Sequence, residues 1–360
     1  MAIVLSDISA ALFWESYNSA SHPNARRVLA ACPDSPPCEW GVERVKELLT
    51  KCTSDRLHVL VSKPELRRSL KDAVCHVHSS ELPPGSLFQI ADDVFVVSPE
   101  LNYVEMARHL TTEQLIHFGM MLCGIFSRDF LAFDAFLDES GSIPRREKRN
   151  LVRRSPLTTV ANLSAYMGQL QDFKHVRALK GVKAAASALP FVIERSRSPM
   201  ESSLAMALTL PYRMGGCSMP KPALNRPIFI DQSFVPSGGG VRWDARGTPY
   251  FECDLVWEGV GNVILEYHGD EIHFTREGVE KDARKARILA ASGYSVHVAT
   301  LATMSSSLKF WELVGDLRRE LKFRLQPGVS DFEKRNERLR SLLKSDYLQS
   351  VRIKDRALHG

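Results

Sequence analysis

Two acidic residues and a histidine near a predicted β-hairpin have the types and spacing of a metal-dependent hydrolytic site. Asp254 lies in the predicted strand 250–257, and Glu266 and His268 lie in the predicted strand 263–268. Alternation puts Glu266 and His268 on one face, and hairpin pairing can bring Asp254 opposite Glu266, with Cβ atoms about 5 Å apart. Two carboxylates that close repel unless a cation separates them. Oxygen ligands favour Mg²⁺ or Mn²⁺, whose bound water can attack a phosphodiester.

A purely structural role, without a ligand, would cost little free energy for one of the two carboxylates and much more for the other. Asp254 can face solvent on an edge strand, which requires no ligand. Glu266 follows the apolar run Val263-Ile264-Leu265, which is typical of a central strand. A carboxylate buried there without a partner is unfavourable, so a functional role is favoured for Glu266.

Other polar residues are candidates for the same site. Glu201, in the segment Ser198-Pro199-Met200-Glu201, can be an outer metal-site carboxylate or the reciprocal partner in a helix capping box. His268 can accept a proton from the attacking water, because imidazole titrates near neutral pH, or it can ligate a softer metal. His273 and Asp282 are accessory candidates.

The elements that follow the hairpin would support these residues. A helix is predicted over 276–291, ended by Gly293, and a strand follows over 294–300. The order strand–strand–helix–strand indicates a compact α/β core with carboxylates at the strand ends. Charged helix residues are predicted to form a solvated face, from which an arginine can hold a phosphate. They are Asp282, Arg284, Lys285 and Arg287.

The spacing resembles the Asp…Glu-x-Lys signature of the PD-(D/E)XK, or restriction-endonuclease-like, superfamily. The wider pattern is similar to its very-short-patch-repair (Vsr)-like branch, and it covers about residues 195–300, under a third of the chain. The motifs are short, and their joint order carries the resemblance. They are Ser198-Pro199-x-Glu201, Cys253-Asp254-Leu255-x-Trp257, Glu266-Tyr267-x-Gly269, His273, Asp282 with a basic residue three positions later, and Ala291-x-Gly293-Tyr294.

The resemblance implies a divalent-metal site and cleavage of DNA strands. One position departs from it, because His268 stands where most of the superfamily has Lys and this branch often has Asp. The histidine can serve the reaction or mark a site that has lost activity. The alternative to an endonuclease is a catalytically inactive DNA-binding regulator, or an antitoxin-like protein on a nuclease fold. In its pattern of elements, the N-terminal half is similar to abortive-infection-type antitoxins.

The charge distribution favours a partner that carries phosphates. The net charge is only +5, but residues 141–155 carry six basic and one acidic side chain, and residues 309–360 carry 13 basic and 8 acidic ones. Each patch alone is typical of a solvated linker or terminal helix. Together they indicate DNA binding. The predicted DNA contacts are Arg145, Arg146, Lys148, Arg149, Arg153 and Arg154, with Arg284 and Arg287.

Composition excludes several classes of protein. With 44% hydrophobic and 25% charged residues, the chain is neither disordered nor fibrous. The longest apolar run, Phe118–Phe126, is too short to span a membrane, and no basic leader precedes it, so a cytoplasmic protein without membrane association is expected.

The seven cysteines include no CxxC pair. Cys75, His76 and His78 lie close together, as zinc ligands can, although strand alternation explains the histidines better.

The predicted fold class is α/β, with a C-terminal restriction-endonuclease-like core, a mixed central sheet flanked by helices, and an N-terminal α+β domain. The sequence is compatible with a protein partner or a homo-oligomer. The amphipathic segment 332–348 could serve as an interaction module. The predicted segments are an α+β domain of unknown role over 1–135, a basic linker over 136–156, a helical connector over 157–194, a Vsr-like domain over 195–325, and a charged helix or tail over 326–360.

Overall fold

The computed structural model divides the chain into two compact units, Met1–Glu194 with Asp346–Gly360 and Arg195–Ser345. Both combine mixed β-sheets with helices, which is the α/β class that the sequence predicts. The structure describes residues 2–19, 22–29, 31–49, 56–79, 81–128, 151–172, 180–235, 241–259, 261–269, 276–326, 328, 330–348 and 350–351.

The described strands of the first unit are β1 (Ile3–Leu5), β2 (Arg26–Val28), β3 (Leu57–Val61), β4 (Ala73–Val77), β5 (Leu87–Ala91), β6 (Val94–Val97), β7 (Phe126–Arg128) and β8 (Leu151–Arg153). Six of them form a sheet in the order β2-β5-β6-β1-β3-β4, and β7 pairs with β8. β1 runs parallel to β6 and β3 runs parallel to β4. β5 and β6 form a hairpin whose turn contains Asp93 with a positive φ of 58°.

The described helices of the first unit are α1 (Asp7–Ser16), α2 (Glu39–Leu48), α3 (Pro99–Met106), α4 (Thr112–Leu122), α5 (Val160–Asp172) and α6 (Val182–Ala188). Local sequence sets the start of α3 and α4, because Ser98 caps α3 and a Thr111–Gln114 capping box begins α4. α1 is buried along almost its whole length, and its Trp14 indole donates a hydrogen bond of 2.9 Å to the Val97 carbonyl.

Arg154 is a structural residue of the first unit and does not lie at the surface as a DNA contact would. Its side chain is buried, and its guanidinium donates to the carbonyl oxygens of Trp14 at 2.7 Å, Tyr17 at 3.0 Å and Met121 at 3.0 Å. These bonds hold the end of α1 against α4. The neighbouring Arg153 is exposed. Arg145, Arg146, Lys148 and Arg149 lie outside the described residues.

We expect Arg154→Ala to lower the free energy of unfolding of the first unit by about 3 kcal/mol, because three buried carbonyls would lose their donor. The exposed neighbour provides the control, since Arg153→Ala should change stability by no more than about 0.5 kcal/mol. Native-state hydrogen exchange, read on peptides from α1 and α4, measures both. Equal effects of the two substitutions would contradict the structural role of Arg154.

The described helices of the second unit are α7 (Pro199–Thr209), α8 (Arg276–Ala291), α9 (Leu301–Ser305), α10 (Ser307–Glu320) and α11 (Phe332–Lys344). Its described strands are β9 (Ala223–Phe229), β10 (Arg242–Trp243), β11 (Pro249–Trp257), β12 (Val263–His268) and β13 (Ser295–Thr300). β11 pairs antiparallel with β9, β10 and β12. β12 and β13 are parallel, so the chain must cross over between them, and α8 makes this crossover.

The core of the second unit lies between this sheet and α8. Ile288 and Leu289 of α8 belong to one buried cluster with Cys253, Val256 and Ile264 of β11 and β12. Because the two strands are buried here, any ionised side chain on them needs a partner.

α11 packs within the second unit, so it is not a free charged tail. Phe332, Leu339 and Leu343 are buried, and the Arg340 guanidinium donates to the Met304 carbonyl at 2.8 Å. The apolar face of α11 is therefore already covered, which removes that face as a free interaction module. None of the helices in the described parts of the chain is long and apolar enough to cross a membrane.

Candidate active site at the end of the β11–β12 pair

Asp254 and Glu266 lie where the pairing of β11 with β12 ends. The last paired residues in this direction are Leu255 and Leu265, and the next position on each strand is an acid. Beyond this point the Asp254 side chain replaces the strand partner, because its Oδ2 accepts a hydrogen bond of 2.8 Å from the Tyr267 backbone N–H. Both acids are therefore held by a rigid part of the sheet.

Glu201 contributes a third carboxyl group from the first turn of α7. Ser198 caps this helix, since its Oγ accepts from the Glu201 N–H at 3.1 Å. The Glu201 carboxylate, however, accepts from the Arg197 N–H at 2.9 Å and from Asn225 Nδ2 at 2.8 Å. The capping box predicts a bond from the Ser198 N–H to the Glu201 carboxylate, but the donor is the N–H of the preceding residue, Arg197. The hydrogen bond from Asn225 connects α7 to β9.

The three acids influence one another electrostatically. Burial, followed by the charges of Glu201 and Glu266, raises the pKa of Asp254 well above its usual range. Burial also raises the pKa of Glu201, against the hydrogen bonds from Asn225 and Arg197. Side chains on α7, β11 and β12 therefore place their negative charges within mutual reach. The three carboxyl groups do not, however, bring one oxygen each within 4.8 Å of one another.

Lys285 is the cation that compensates this charge. Its Nζ donates to Glu266 Oε1 at 2.7 Å and to the Glu252 carbonyl at 3.3 Å, and it lies 6.0 Å from the centre of the Phe251 ring. Burial alone would lower the pKa of Lys285, but the charge and hydrogen bond of Glu266, together with the neighbouring Cys253 and Asp254, raise it overall. The ammonium group therefore stays protonated beside Glu266.

The prediction that Lys285 belongs to a solvated helix face is wrong. Lys285 precedes Ile288 and Leu289 by three and four residues, and both of these side chains are buried against the sheet. Residues three and four apart share a helix face, so the apolar periodicity of α8 contained the signal that Lys285 points inwards. Arg284 and Arg287 lie on the exposed side of the same helix, as predicted for solvated residues.

His268 and Asp282 lie together at the edge of the site. His268 Nδ1 is 3.8 Å from Asp282 Oδ2, and both side chains are partly exposed. The direct partner of Glu266 is Lys285, which comes from a helix, although the sequence pattern points to the strand position of His268. His273 lies outside the described residues.

The rim of the site carries further basic groups. Glu252 is buried on β11, and its Oε2 lies 2.9 Å from an Arg242 nitrogen and 3.5 Å from an Arg197 nitrogen. Arg197 also opposes the rise in the pKa of Glu201, and Lys285 opposes the rise in the pKa of Asp254. The acids of the site therefore lie among three basic side chains, Arg197, Arg242 and Lys285.

A comparison of the chain with protein-family models, curated proteins and solved structures finds no match. The geometry and charge of the site are thus the basis for assigning its chemistry.

We expect Asp254→Asn to stabilise the second unit at neutral pH by an amount on the order of 1 kcal/mol in the presence of a chelator. A pKa raised by folding means that the ionised carboxylate opposes folding. The amide removes that charge and can still accept from the Tyr267 N–H. Below about pH 4 the wild-type carboxyl is protonated even in the unfolded chain, so the gain should vanish.

Thermal melting of both proteins at neutral pH and below about pH 4 measures this difference. Asp282→Asn is the matched control, because Asp282 is more exposed and pairs only loosely with His268. A gain that persists unchanged at low pH would show that the charge of Asp254 is not its source.

Proposed function

We propose that the second unit is a divalent-metal-dependent DNA endonuclease with a restriction-endonuclease-like, Vsr-like core. The observation that carries this proposal is the group of Asp254 and Glu266 at the end of a strand pair, Glu201 at a helix start, and an ammonium group 2.7 Å from Glu266. Acids on rigid strands with one lysine suit a reaction in which negative charge develops on a phosphate.

Asp254 and Glu266 would hold Mg²⁺ or Mn²⁺, since both are oxygen ligands from neighbouring strands. When bound, such an ion supplies an activated water and neutralises phosphate oxygens. Glu201 would act from the outer side, where Asn225 and the Arg197 N–H keep its carboxylate in place.

Lys285 would take the role that the resemblance assigns to the third signature position. A hydrogen bond to Glu266 fixes its ammonium group at the edge of the carboxylates, from which it can donate to a phosphate oxygen. His268, which lies near Asp282, is then an edge residue. It can position the attacking water or accept a proton from it. The departure at His268 does not by itself imply an inactive site, because α8 supplies a lysine.

DNA binding would use the exposed side of α8. Arg284 and Arg287 are three residues apart, so they share one helix face, and Arg284 is the immediate neighbour of Lys285. No carboxylate among the described residues forms an ion pair with either guanidinium. Two arginines beside the carboxylates fit contacts to the phosphates that flank a scissile bond.

We expect the full chain to nick supercoiled plasmid DNA with Mg²⁺ or Mn²⁺ and not with a chelator. Glu266→Gln should abolish the activity, and Lys285→Met should lower the rate by about 10²- to 10³-fold, because each removes a charge that acts on the reacting phosphate. Lys281→Met is the control for the second substitution, since Lys281 is exposed on the same helix. Gel analysis of initial rates separates these variants.

Nicking that survives Glu266→Gln would contradict the assignment of the site. Metal-independent DNA binding without cleavage, unchanged in the Glu266→Gln and Lys285→Met variants, would instead select the inactive DNA-binding regulator. Cleavage of single-stranded RNA in preference to DNA would support phosphodiester hydrolysis at this site, with RNA as the substrate in place of DNA.

We expect the double substitution Arg284→Ala with Arg287→Ala to weaken DNA binding and to reduce the slope of log K against log salt by about 2, one unit for each lost phosphate contact. Fluorescence anisotropy with a labelled duplex over a range of salt concentrations measures the slope. Lys309→Ala, an exposed lysine on α10, is the control. An unchanged slope would place the DNA elsewhere on the protein.

A further inference from the structure

The first unit brings an aspartate and two histidines from three elements into one cluster. Asp7 is the first residue of α1, His58 lies on β3 and His76 lies on β4. Asp7 and His58 are buried, and one ligand atom from each of the three residues lies within 4.8 Å of the others. Sequence spacing alone suggests Cys75, His76 and His78 as a group of ligands. In the fold only His76 of these three belongs to the cluster, and the other two members, Asp7 and His58, come from distant parts of the sequence.

The sheet explains why these residues meet. β3 and β4 are parallel, with His58 opposite Val74 and Leu60 opposite His76, so both imidazoles lie on the same face of the sheet. β1 lies next to β3 and leads directly into Asp7. The cluster is therefore built on strands and a helix start, which hold ligands more rigidly than loops do.

Asp7 has an unusual backbone that neighbouring groups hold in place. Its φ is +54°, a left-handed conformation that costs energy for a residue with a side chain. Glu105 Oε2 accepts from the Asp7 N–H at 2.8 Å, Glu105 Oε1 accepts from Ser6 Oγ at 2.6 Å, and Asn102 Nδ2 donates to the Asp7 carbonyl at 2.9 Å. α3 thus forms a layer of hydrogen bonds that fixes the backbone of Asp7, which carries the carboxylate.

The distances within the cluster fit a small metal ion. In a tetrahedral site with bonds of about 2.05 Å to nitrogen or oxygen, the ligand atoms are about 3.3 Å apart. His58 Nδ1 lies 2.8 Å from His76 Nε2 and 3.8 Å from Asp7 Oδ1, so the observed separations lie on either side of this value. The ligand atoms of His76 and Asp7 also lie within 4.8 Å of each other, so an ion would draw the three ligands to a common distance and replace the proton that the two rings share.

Two partly exposed side chains border the cluster. His109 Nε2 lies 2.8 Å from Asp7 Oδ1, and Arg108 pairs with the other carboxylate oxygen. Both side chains are about one-third exposed. His109 can therefore hold the carboxylate in place or become a fourth ligand at the solvent side. Two imidazoles and one carboxylate are the donor set of many divalent transition-metal sites.

We propose that Asp7, His58 and His76 form a binding site for one divalent transition-metal ion, with Zn²⁺ as the best match to the donors. This site lies in the first unit and differs in chemistry from the carboxylate-rich group of the second unit. Mixed nitrogen and oxygen ligands select zinc-like ions, whereas carboxylates select Mg²⁺ or Mn²⁺.

Metal content and cobalt spectroscopy of the full chain test the proposal. After incubation with one equivalent of Zn²⁺ and dialysis, the wild type should retain about one ion per chain by mass spectrometry of the metal. Co²⁺ in its place should give the visible absorption of a tetrahedral nitrogen-containing site. Both signals should be lost in His76→Gln and in Asp7→Asn, and both should remain in Glu266→Gln, which removes a ligand group from the second unit only.

His78→Gln is the matched control, because His78 follows His76 by two residues and its ligand atoms lie outside the cluster. It should retain the ion, and Zn²⁺ should raise the melting temperature of the wild type and of His78→Gln but not of His76→Gln. A wild type that keeps no ion and shows no cobalt spectrum overturns the proposal, whether or not the variants fold. Equal loss in His76→Gln and His78→Gln also overturns it, as does retention in His76→Gln.

Discussion

The candidate active site depends on one ion pair, that between Glu266 and Lys285. Glu266 lies on a buried strand, where an uncompensated carboxylate would be strongly unfavourable. Its partner comes from the crossover helix α8, so an ionised Glu266 is compensated on this strand only when α8 docks with Lys285 towards the sheet. The same docking buries Ile288 and Leu289. Charge compensation and core packing therefore specify the same position for α8.

The other acids of the site, Asp254 and Glu201, are secured by hydrogen bonds. Asp254 accepts from a backbone N–H of the next strand, and Glu201 accepts from a backbone N–H and from Asn225. Burial still raises the pKa of both groups, and for Asp254 the charges of Glu201 and Glu266 add to this rise. The ionised form of Asp254 is therefore opposed both by burial and by its acidic neighbours.

The first unit handles buried charge in two different ways. The two terminal nitrogens of Arg154 donate to carbonyl oxygens near the ends of helices, which makes this arginine a structural link between them. Asp7 instead faces Arg108, His109 and the His58–His76 pair, so its charge is compensated by one guanidinium group and by imidazole groups. The partners of Arg154 are backbone carbonyls, whose charge is fixed, whereas the imidazole partners of Asp7 can change their protonation state. This difference separates an arginine that holds the fold together from a cluster with the chemistry of a binding site.

Local patterns in the sequence were enough to predict the hairpin that carries Asp254 and Glu266, the helix that begins at Pro199 and the α/β class, because alternation, capping and turn residues act over a few positions. The inward orientation of Lys285, the burial of Arg154 and the meeting of Asp7 with His58 and His76 were decided by tertiary structure. Each depends on which distant segments cover a side chain, and the free energy of burying a charge is set by those neighbours rather than by adjacent residues.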